Sequence, residues 1–561
     1  MVSAVKKLFN RDSTGLSEAA FLIGFFSIVS QLLALVRDRA LSHAIGPSLT
    51  LDVYYASFKI PDLLFLVIGT LVSVTAVLPF LMDKKKDADG DKKVSFFASE
   101  LLVIVSGILI VLSLVGLVLM PTLVKFVAPG FDDATLAELV TMSRIMLISP
   151  TLLGISNLFG TFAQFYKKFF GFSLAPVLYN VGLIFGVLYL YPRFGLTGLA
   201  IGVVSGAGLH LLVQFVALGW TKIEFVLPRK INWREMYALL WVSLPRSFTI
   251  SISSIVFVVL SAIATTMPEG SVSLLTLAFN LQGVPLGVIG VSYAVAAFPM
   301  LSNHLALGEK KEALAVFSRA YRHMTFWVFP AMALFIVLRS HIVRIILGTG
   351  AFTWENTRLV AAALGVFMIA LFAQASVVLL IRVFYAAHDT KTPLFASVVS
   401  AVVSISASLV LISLYRYNPA YQEMLENILR IRDLPGAIVI SLPIGFVLGS
   451  FVQALMLRDG AKKILETKKF PGVEKAAAHS LAGAICAAAC AYGTLHLLSP
   501  YFSLETFFGV LAHGFLAGLV GILGYIAFLA LSKSQELTEV TSAFKRKLKP
   551  AVILPDEIEG A

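Results

Sequence analysis

Residues 101–120 read LLVIVSGILIVLSLVGLVLM, twenty consecutive positions without a charged side chain. About 20 apolar residues, at roughly 1.5 Å of helical rise each, match the ~30 Å hydrocarbon thickness of a bilayer. In lipid, backbone N–H and C=O groups find no water, so a segment must satisfy them internally, and a helix does so without leaving an edge. The stretch therefore reads as a membrane-crossing helix, and similar runs recur from Phe21 to Leu531 with only short polar breaks. The whole chain agrees: 58% of its 561 residues are hydrophobic and 14% charged, with a mean hydropathy of +0.89. That is too apolar for a soluble fold with a charged surface, and no soluble domain of useful size fits between the runs.

Working outward from residues 101–120, apolar runs separated by charged or Gly/Pro breaks give an all-α polytopic fold of about fourteen transmembrane helices. Their expected limits are 18–40, 53–82, 96–120, 137–165, 172–192, 196–219, 236–266, 272–302, 317–340, 357–386, 393–415, 435–457, 476–498 and 504–531. Lys6, Lys7 and Arg11 precede the first run, which continues into Arg37-Asp38-Arg39 without a small-residue cleavage site and reads as a retained helix. The net charge of +12 is concentrated in alternate loops: Lys84–Lys86, Lys92 and Lys93, Lys167 and Lys168, Lys222 to Arg234, Lys310 and Lys311, Arg458 to Lys475, and the Lys545–Lys549 tail. This pattern sets orientation and argues against nucleic acid as a partner. It places both termini of this multi-pass chain in the cytoplasm. Cys486 and Cys490 share a helix face in an Ala-rich run and read as small packing residues, since no ligand-type side chain sits beside them at metal spacing. No P-loop, HExxH, GxSxG or Asp-rich metal motif occurs, so the chain is expected to be a transporter, not an enzyme, with no cofactor or metal.

The two halves resemble each other at an offset of about 220 residues. Val67-Ile68-Gly69 recurs as Val288-Ile289-Gly290, Pro79-Phe80-Leu81 as Pro299-Met300-Leu301, Val124-Lys125 as Val343-Arg344, and Phe165-Tyr166 as Phe384-Tyr385. Such an offset spans six crossings, an even number, so the repeats share one orientation, as in transporters built of two lobes around a site. The expected organisation is a first lobe over 1–220, a second over 221–460, and two additional helices with a basic tail over 461–561.

A charge inside a span costs several kcal/mol unless it meets a partner or a cavity. Arg37 and Lys59 lie nearest the centre of their spans and are the first candidates for an anionic ligand. Asp38 and Asp52 accompany them as candidates, and Asp38, Arg39 and Asp62 read equally well as an internal salt-bridge set near the outer interface. Arg246 follows Pro245, which bends its helix and can turn the guanidinium inward. Glu100, Arg144, Arg322 and Arg382 lie near expected span ends and read as snorkelling to the interface. Pro61, Pro176, Pro245, Pro285 and Gly287 interrupt helices and are candidate hinges for alternating access.

Several longer motifs resemble one family. Leu35-Val36-Arg37-Asp38, then Gly46, Asp52 and Phe58-Lys59-Ile60-Pro61-Asp62-Leu63-Leu64, are similar to the opening of the MurJ/MviN lipid II flippases. Phe172-Ser173-Leu174-Ala175-Pro176 with Asn180, Gly270 to Ser273 with Pro285 to Val288, and Phe384-Tyr385-Ala386-Ala387-His388-Asp389-Thr390-Lys391-Thr392-Pro393 agree. The resemblance implies the multidrug/oligosaccharidyl-lipid/polysaccharide exporter fold: two six-helix lobes around a cationic cavity, and two C-terminal helices making a groove for a polyprenyl tail. It implies transport of undecaprenyl-pyrophosphate carrying the peptidoglycan disaccharide-pentapeptide, linked to membrane potential or an ion gradient. The sequence departs from the family at the cavity. Matched without gaps, one family arginine is kept as Arg37, while others fall on His43, Phe65 and Asn280, and a glutamate falls on Thr70.

Phe and Asn do not replace the bidentate charge that a pyrophosphate favours. Either Lys59 and Arg246 take over the phosphate, or the substrate is a related but different lipid-linked glycan; in the first case Arg37 holds the headgroup with help from Lys59, and Arg246 and Asn280 are further candidates. An ion-coupled multidrug exporter would favour acidic cavity residues, whereas the charges nearest mid-membrane are mostly basic. A membrane-embedded glycosyltransferase would need an outer catalytic carboxylate, and Asp132, Asp133 and Glu269 are scattered. The expected partners are a lipid-linked pyrophosphate glycan and membrane lipid, with the chain a monomer; a coupling ion, Na+ or H+, is left open.

Overall fold

The computed structural model describes residues 16–548 except 72–73, 87–88, 229–230 and 433; side chains at 16–21, 67–76, 240, 242–251, 253 and 543–548 are not described. Among the described residues the elements are helices and their connecting turns, with no strand. In order they are α1 (Leu16–Ala44), α2 (Leu49–Ser57), α3 (Lys59–Leu71), α4 (Val74–Lys85), α5 (Gly90–Val127), α6 (Asp133–Met146), α7 (Ile148–Phe165), α8 (Phe169–Phe185) and α9 (Tyr191–Leu218). The second half continues with α10 (Trp233–Ala264), α11 (Ser271–Pro285), α12 (Ser292–Ala306), α13 (Lys310–Val337), α14 (Arg339–Ile346), α15 (Trp354–Ala386), α16 (Lys391–Tyr417), α17 (Pro419–Leu429) and α18 (Ser441–Ile464). α19 (Val473–Leu498), α20 (Phe507–Leu531) and α21 (Gln535–Leu548) complete the chain.

Ten helical segments among the described residues are long and apolar enough to cross a membrane. The expected fourteen differ from this number for physical reasons. The segment Phe169–Leu218 counts once, yet it departs from helical geometry at Gly195 (φ 57°, ψ −140°). There the chain turns back, so that α9 packs antiparallel on α8. The stretch 53–82 is broken into α2, α3 and α4, each too short alone. α1 and α10 contain side chains that are not described.

The α8–α9 hairpin shows why its glycines are there. A Cβ on Gly182 would stand 2.2 Å from the Cα of Gly206, and one on Gly186 would stand 2.7 Å from the Cα of Gly202. The two helices meet backbone to backbone, the close approach that small residues allow in lipid, where no hydrophobic effect drives helices together. Asn180 ties this hairpin to α1, its Nδ2 donating to Ser30 Oγ at 3.2 Å and to the carbonyl of Pro176 at 3.1 Å.

Helix starts follow the internal repeat: α6 begins at Asp133 and α15 at Trp354, α8 at Phe169 and α16 at Lys391. Val124 and Val343, paired by the repeat, are both buried near the end of a helix. By its contacts the chain divides into two compact units. The larger comprises 1–284, 342–373 and 388–458; the smaller comprises 285–341, 374–387 and 459–561. One boundary falls between Val284 and Pro285, where α11 passes into a π-helical turn over Leu286–Val291 that contains Gly287.

The smaller unit holds α19 and α20 against α13. Pro330 lacks the N–H that would bond the carbonyl of Phe326, four residues earlier in α13, and Tyr525 Oη donates to that carbonyl at 2.6 Å. Cys486 and Cys490 are half-buried free thiols in the α19–α20 contact, as the packing reading expects, and Cys486 Sγ lies 3.8 Å from the carbonyl of Gly524. Arg322 corrects the snorkelling reading. It bonds Glu536 at 3.2 Å and Glu539 at 3.3 Å, docking α21 on α13, because the tail helix brings carboxylates within reach.

A chamber and a closure in the larger unit

Pro61 lacks the N–H that would bond the carbonyl of Ser57, and the helix breaks at Phe58, ending α2 and starting α3 at Lys59. Ser143 Oγ takes up the released carbonyl at 3.4 Å. The break delivers Lys59 to the wall of a cavity of about 380 Å³, lined also by Asp62, Phe65, Ser254, Phe257 and Phe279. Lys59 is 8% exposed, and its Nζ lies 4.6 Å from the centre of the Phe257 ring. Such a contact partly replaces the water a buried ammonium loses. Phe257 stacks on Phe279, which meets Phe367 and Phe446 edge-on at 5.6 and 5.7 Å, so the aromatic wall is buttressed from behind.

Arg37, near the end of α1, is half-buried and bonds Asp38 Oδ1 through Nε at 2.9 Å and Nη2 at 2.8 Å. Asp38 Oδ2 accepts from Asn280 Nδ2 on α11 at 3.0 Å. Arg37, Asp38 and Asn280 thus form one line of bonds between the first and second halves of the chain.

At the same end of α1 the halves are joined repeatedly. Asp52, 2% exposed, accepts the amide of Gly270 at 2.8 Å and that of Ser273 at 2.7 Å, capping the start of α11 with a carboxylate. Arg39 Nη1 donates to the carbonyls of Ile345 and Ile346, at 2.5 and 3.3 Å. The amide of Ala351 donates to the carbonyl of His43 at 3.1 Å. Gly46, at φ +66°, faces Ala351 so closely that a Cβ would stand 2.6 Å from its oxygen. These contacts make a closure.

The sequence candidates divide accordingly. Lys59 faces the chamber. Arg37, Asp38 and Asn280 stand in one bonded line, and Asp52 has both oxygens committed to backbone. Pro245 and Arg246 lie in α10 with side chains outside the described residues, as does the side chain of Thr70. Phe65 lines the chamber, so an aromatic ring stands where the family match set an arginine; His43 contacts Thr349, Nδ1 to Oγ1 at 3.0 Å. Two expectations are corrected. The chamber is not a lining of unpaired positive charge: Lys59 shares it with Asp62 and Arg37 is bonded to Asp38, since an uncompensated buried cation costs several kcal/mol. Glu100 does not snorkel; it is 1% exposed and accepts the amide of Asn232 at 2.7 Å, holding the start of α10. Arg144 is exposed, as expected. Arg382 lies over the Phe298 ring at 5.4 Å. The aromatic wall and Ser254 escaped the sequence reading, because apolar rings and a serine in a span carry no signal distinguishing a cavity lining from core.

The family model described as lipid II flippase MurJ matches residues 41–419. A probable lipid II flippase MurJ of Thermotoga maritima is 26% identical over 524 residues, covering 93% of this chain and 97% of that protein. One of Rhizobium tropici is 27% identical over 397 residues, covering 69% and 74%. Among solved structures, a lipid II flippase MurJ in an inward closed conformation superposes with a TM-score of 0.72 at 21% identity, covering 94% of this chain and 99% of that one. An inward-facing multidrug resistance transporter of the MATE family and MOP superfamily reaches 0.63 at 16% identity, covering 78% and 96%. The structural likenesses speak for the fold, and the family match over well more than half of the sequence speaks for descent: this multi-pass membrane protein belongs to the lipid II flippase MurJ family, whose members are transporters and not enzymes.

Proposed function

We propose that this chain is a flippase that translocates lipid II, a polyprenyl-pyrophosphate-linked glycan, across the bacterial cytoplasmic membrane by alternating access, with both termini in the cytoplasm. The observation that carries the reading is a buried lysine, Lys59, set by a proline break into a cavity whose wall includes Phe279, the residue before the Asn280 that ends the bonded line Arg37–Asp38–Asn280. At about 380 Å³ the cavity suits a pyrophosphate and its first sugar, not a whole headgroup, so it is read as the phosphate subsite of a larger path. Lys59 and Arg37 meet the phosphate, with Arg246 a further candidate; Phe257 and Phe279 face the sugar.

The paired state of the cations gives the mechanism. A pyrophosphate that takes Arg37 from Asp38 trades one charge-assisted pair for another, and Asp38, no longer held in place by the guanidinium, is free to swing away from Asn280. Binding in this way loosens the closure at the end where Asp52 caps α11. Lobes over 1–220 and 221–460 then rock about Pro61, Pro176, Pro245, Pro285 and Gly287, with the polyprenyl tail beside the helices beyond residue 461. Differential contact of substrate with the two states drives the change.

The test is depletion of the resident lipid II flippase in a bacterium and rescue by this chain, with a headgroup-accessibility assay. Rescue is expected, and Arg37→Ala is expected to abolish it without loss of protein from the membrane. A second reading rests on Phe65: with a ring in place of a cation, the chamber also suits a different lipid-linked glycan, and failure of rescue at normal expression selects that reading.

A further inference from the structure

Helix α17 (Pro419–Leu429) follows directly on the membrane-crossing α16 (Lys391–Tyr417), and its side chains fall into three sectors. At 3.6 residues per turn, Leu425, Leu429, Gln422 and Glu426 share one side. Leu425 and Glu426 there are buried. Glu426 Oε1 accepts from Tyr415 Oη at 2.5 Å and from Gln422 Nε2 at 2.9 Å. A second side carries Ala420, Met424 and Ile428, spaced by four and exposed, Met424 by 50% and Ile428 by 67%. Glu423 and Asn427, also exposed, make the third, opposite the buried side's flank.

A helix with only two environments needs two sectors. Three sectors describe a helix lying where protein, apolar medium and water meet. In α16, Val402, Leu409, Val410 and Leu414 are likewise exposed, and exposed Tyr417 stands at the junction with α17. α16 is long and apolar enough to cross a membrane, so lipid meets its exposed apolar side chains, and α17 starts at Pro419, just after the Tyr417 that ends α16. Arg416, Arg430 and Arg432 flank the helix in sequence, with Glu423 paired to Arg432 at 2.7 Å; basic side chains at the ends of such a helix suit anionic headgroups.

We propose that α17 is an interfacial anchor, lying in the plane of the membrane with Met424 and Ile428 in the headgroup–acyl boundary of the leaflet into which α16 ends. The anchor also holds the rim of the closure. Arg358, in the first turns of α15, donates to the carbonyl of Arg430 through Nε at 3.1 Å and Nη2 at 2.6 Å. A cavity of about 400 Å³ beside α17 is lined by Tyr415 and Gln422 and by Thr266–Pro268, the turn that leads to Gly270 and thus to Asp52. The second-half rim of the closure is referenced to the lipid surface.

The test uses the whole chain in phosphatidylcholine vesicles, with and without phosphatidylglycerol. Nitroxide labels are placed at Met424→Cys, Ile428→Cys, Glu423→Cys or Asn427→Cys after Cys486→Ala and Cys490→Ala. Labels at 424 and 428 are expected to be relaxed several-fold more by oxygen than by an aqueous nickel chelate, and labels at 423 and 427 the reverse; a gain with phosphatidylglycerol assigns a share to the arginines. Equal access of the nickel chelate to all four positions overturns the proposal. So does shielding of 424 and 428 from both relaxants, which would mean that protein covers them. Hydroxyl-radical footprinting of the unaltered chain provides the check without substitution: Met424 should oxidise several-fold more slowly in vesicles than in the unfolded chain, and equal rates reject the anchor.

Discussion

Asp52 and Lys59 lie seven residues apart, both buried in what reads as one crossing, yet their surroundings treat the two charges in opposite ways. Asp52 receives a backbone amide on each oxygen and, at 2% exposure, offers no open surface to a ligand. Lys59 receives the face of the Phe257 ring and stands in the wall of a cavity that it shares with Asp62. The difference lies in chemistry as much as in position. A carboxylate accepts bonds that a helix start supplies for nothing, whereas an ammonium has no comparable backbone partner and is stabilised by polarisable rings that do not saturate it. Within one crossing, the acid is committed to holding the halves together and the base is available for something that comes and goes.

The comparison breaks first at Asp52→Ala. Removing a buried acceptor and leaving two amides unpaired should cost about 3–5 kcal/mol, read as a lower unfolding temperature in detergent. Unchanged stability would show that the closure does not depend on it. Lys59→Met should behave in the opposite manner: folding stability within about 1 kcal/mol, but transport down roughly ten- to a hundredfold, the equivalent of a lost charge-assisted bond of about 1.5–3 kcal/mol. If Lys59→Met unfolds the protein while transporting normally per folded molecule, the two regions are not distinct. Gly46→Ala sharpens the closure side. The left-handed φ and the short approach to Ala351 should cost about 1–3 kcal/mol locally, seen as faster amide exchange over 349–352. The smallest effect is expected of Phe257→Leu, which removes the ring beneath Lys59 at a cost of about 0.5–1 kcal/mol and should weaken headgroup binding only a few-fold.

Much of the fold was open to reading because lipid imposes length and apolarity on every crossing, and runs such as residues 101–120 cannot be satisfied otherwise. The break at Pro61 was visible too, since a missing N–H is a local fact. The closure was not. Asp52 finds its partners 218 and 221 residues further along, and nothing near it distinguishes a helix cap from a ligand group. Glu100 was misplaced for the same reason, its partner Asn232 being contributed by a loop. Arg37 and Lys59 were identified by their depth, and Asp38 and Asp62 were open to a salt-bridge reading from their spacing. The cationic cavity was what the family resemblance implied, and here Arg37 is paired with Asp38 while Lys59 shares its cavity with Asp62.

The glycine-seamed pair α8 and α9 has a mechanical consequence. Two rods pressed together along their length and joined at one end bend far less than either alone, so the pair acts as a beam. Asn180 bolts that beam to α1 at Ser30, about two helical turns before Arg37. Tilting of the arginine-bearing end during a transport cycle is therefore carried along a stiff strut instead of being dissipated as flexing. A bulky side chain at Gly182 or Gly206 would cost the machine its rigidity before it cost the site any chemistry.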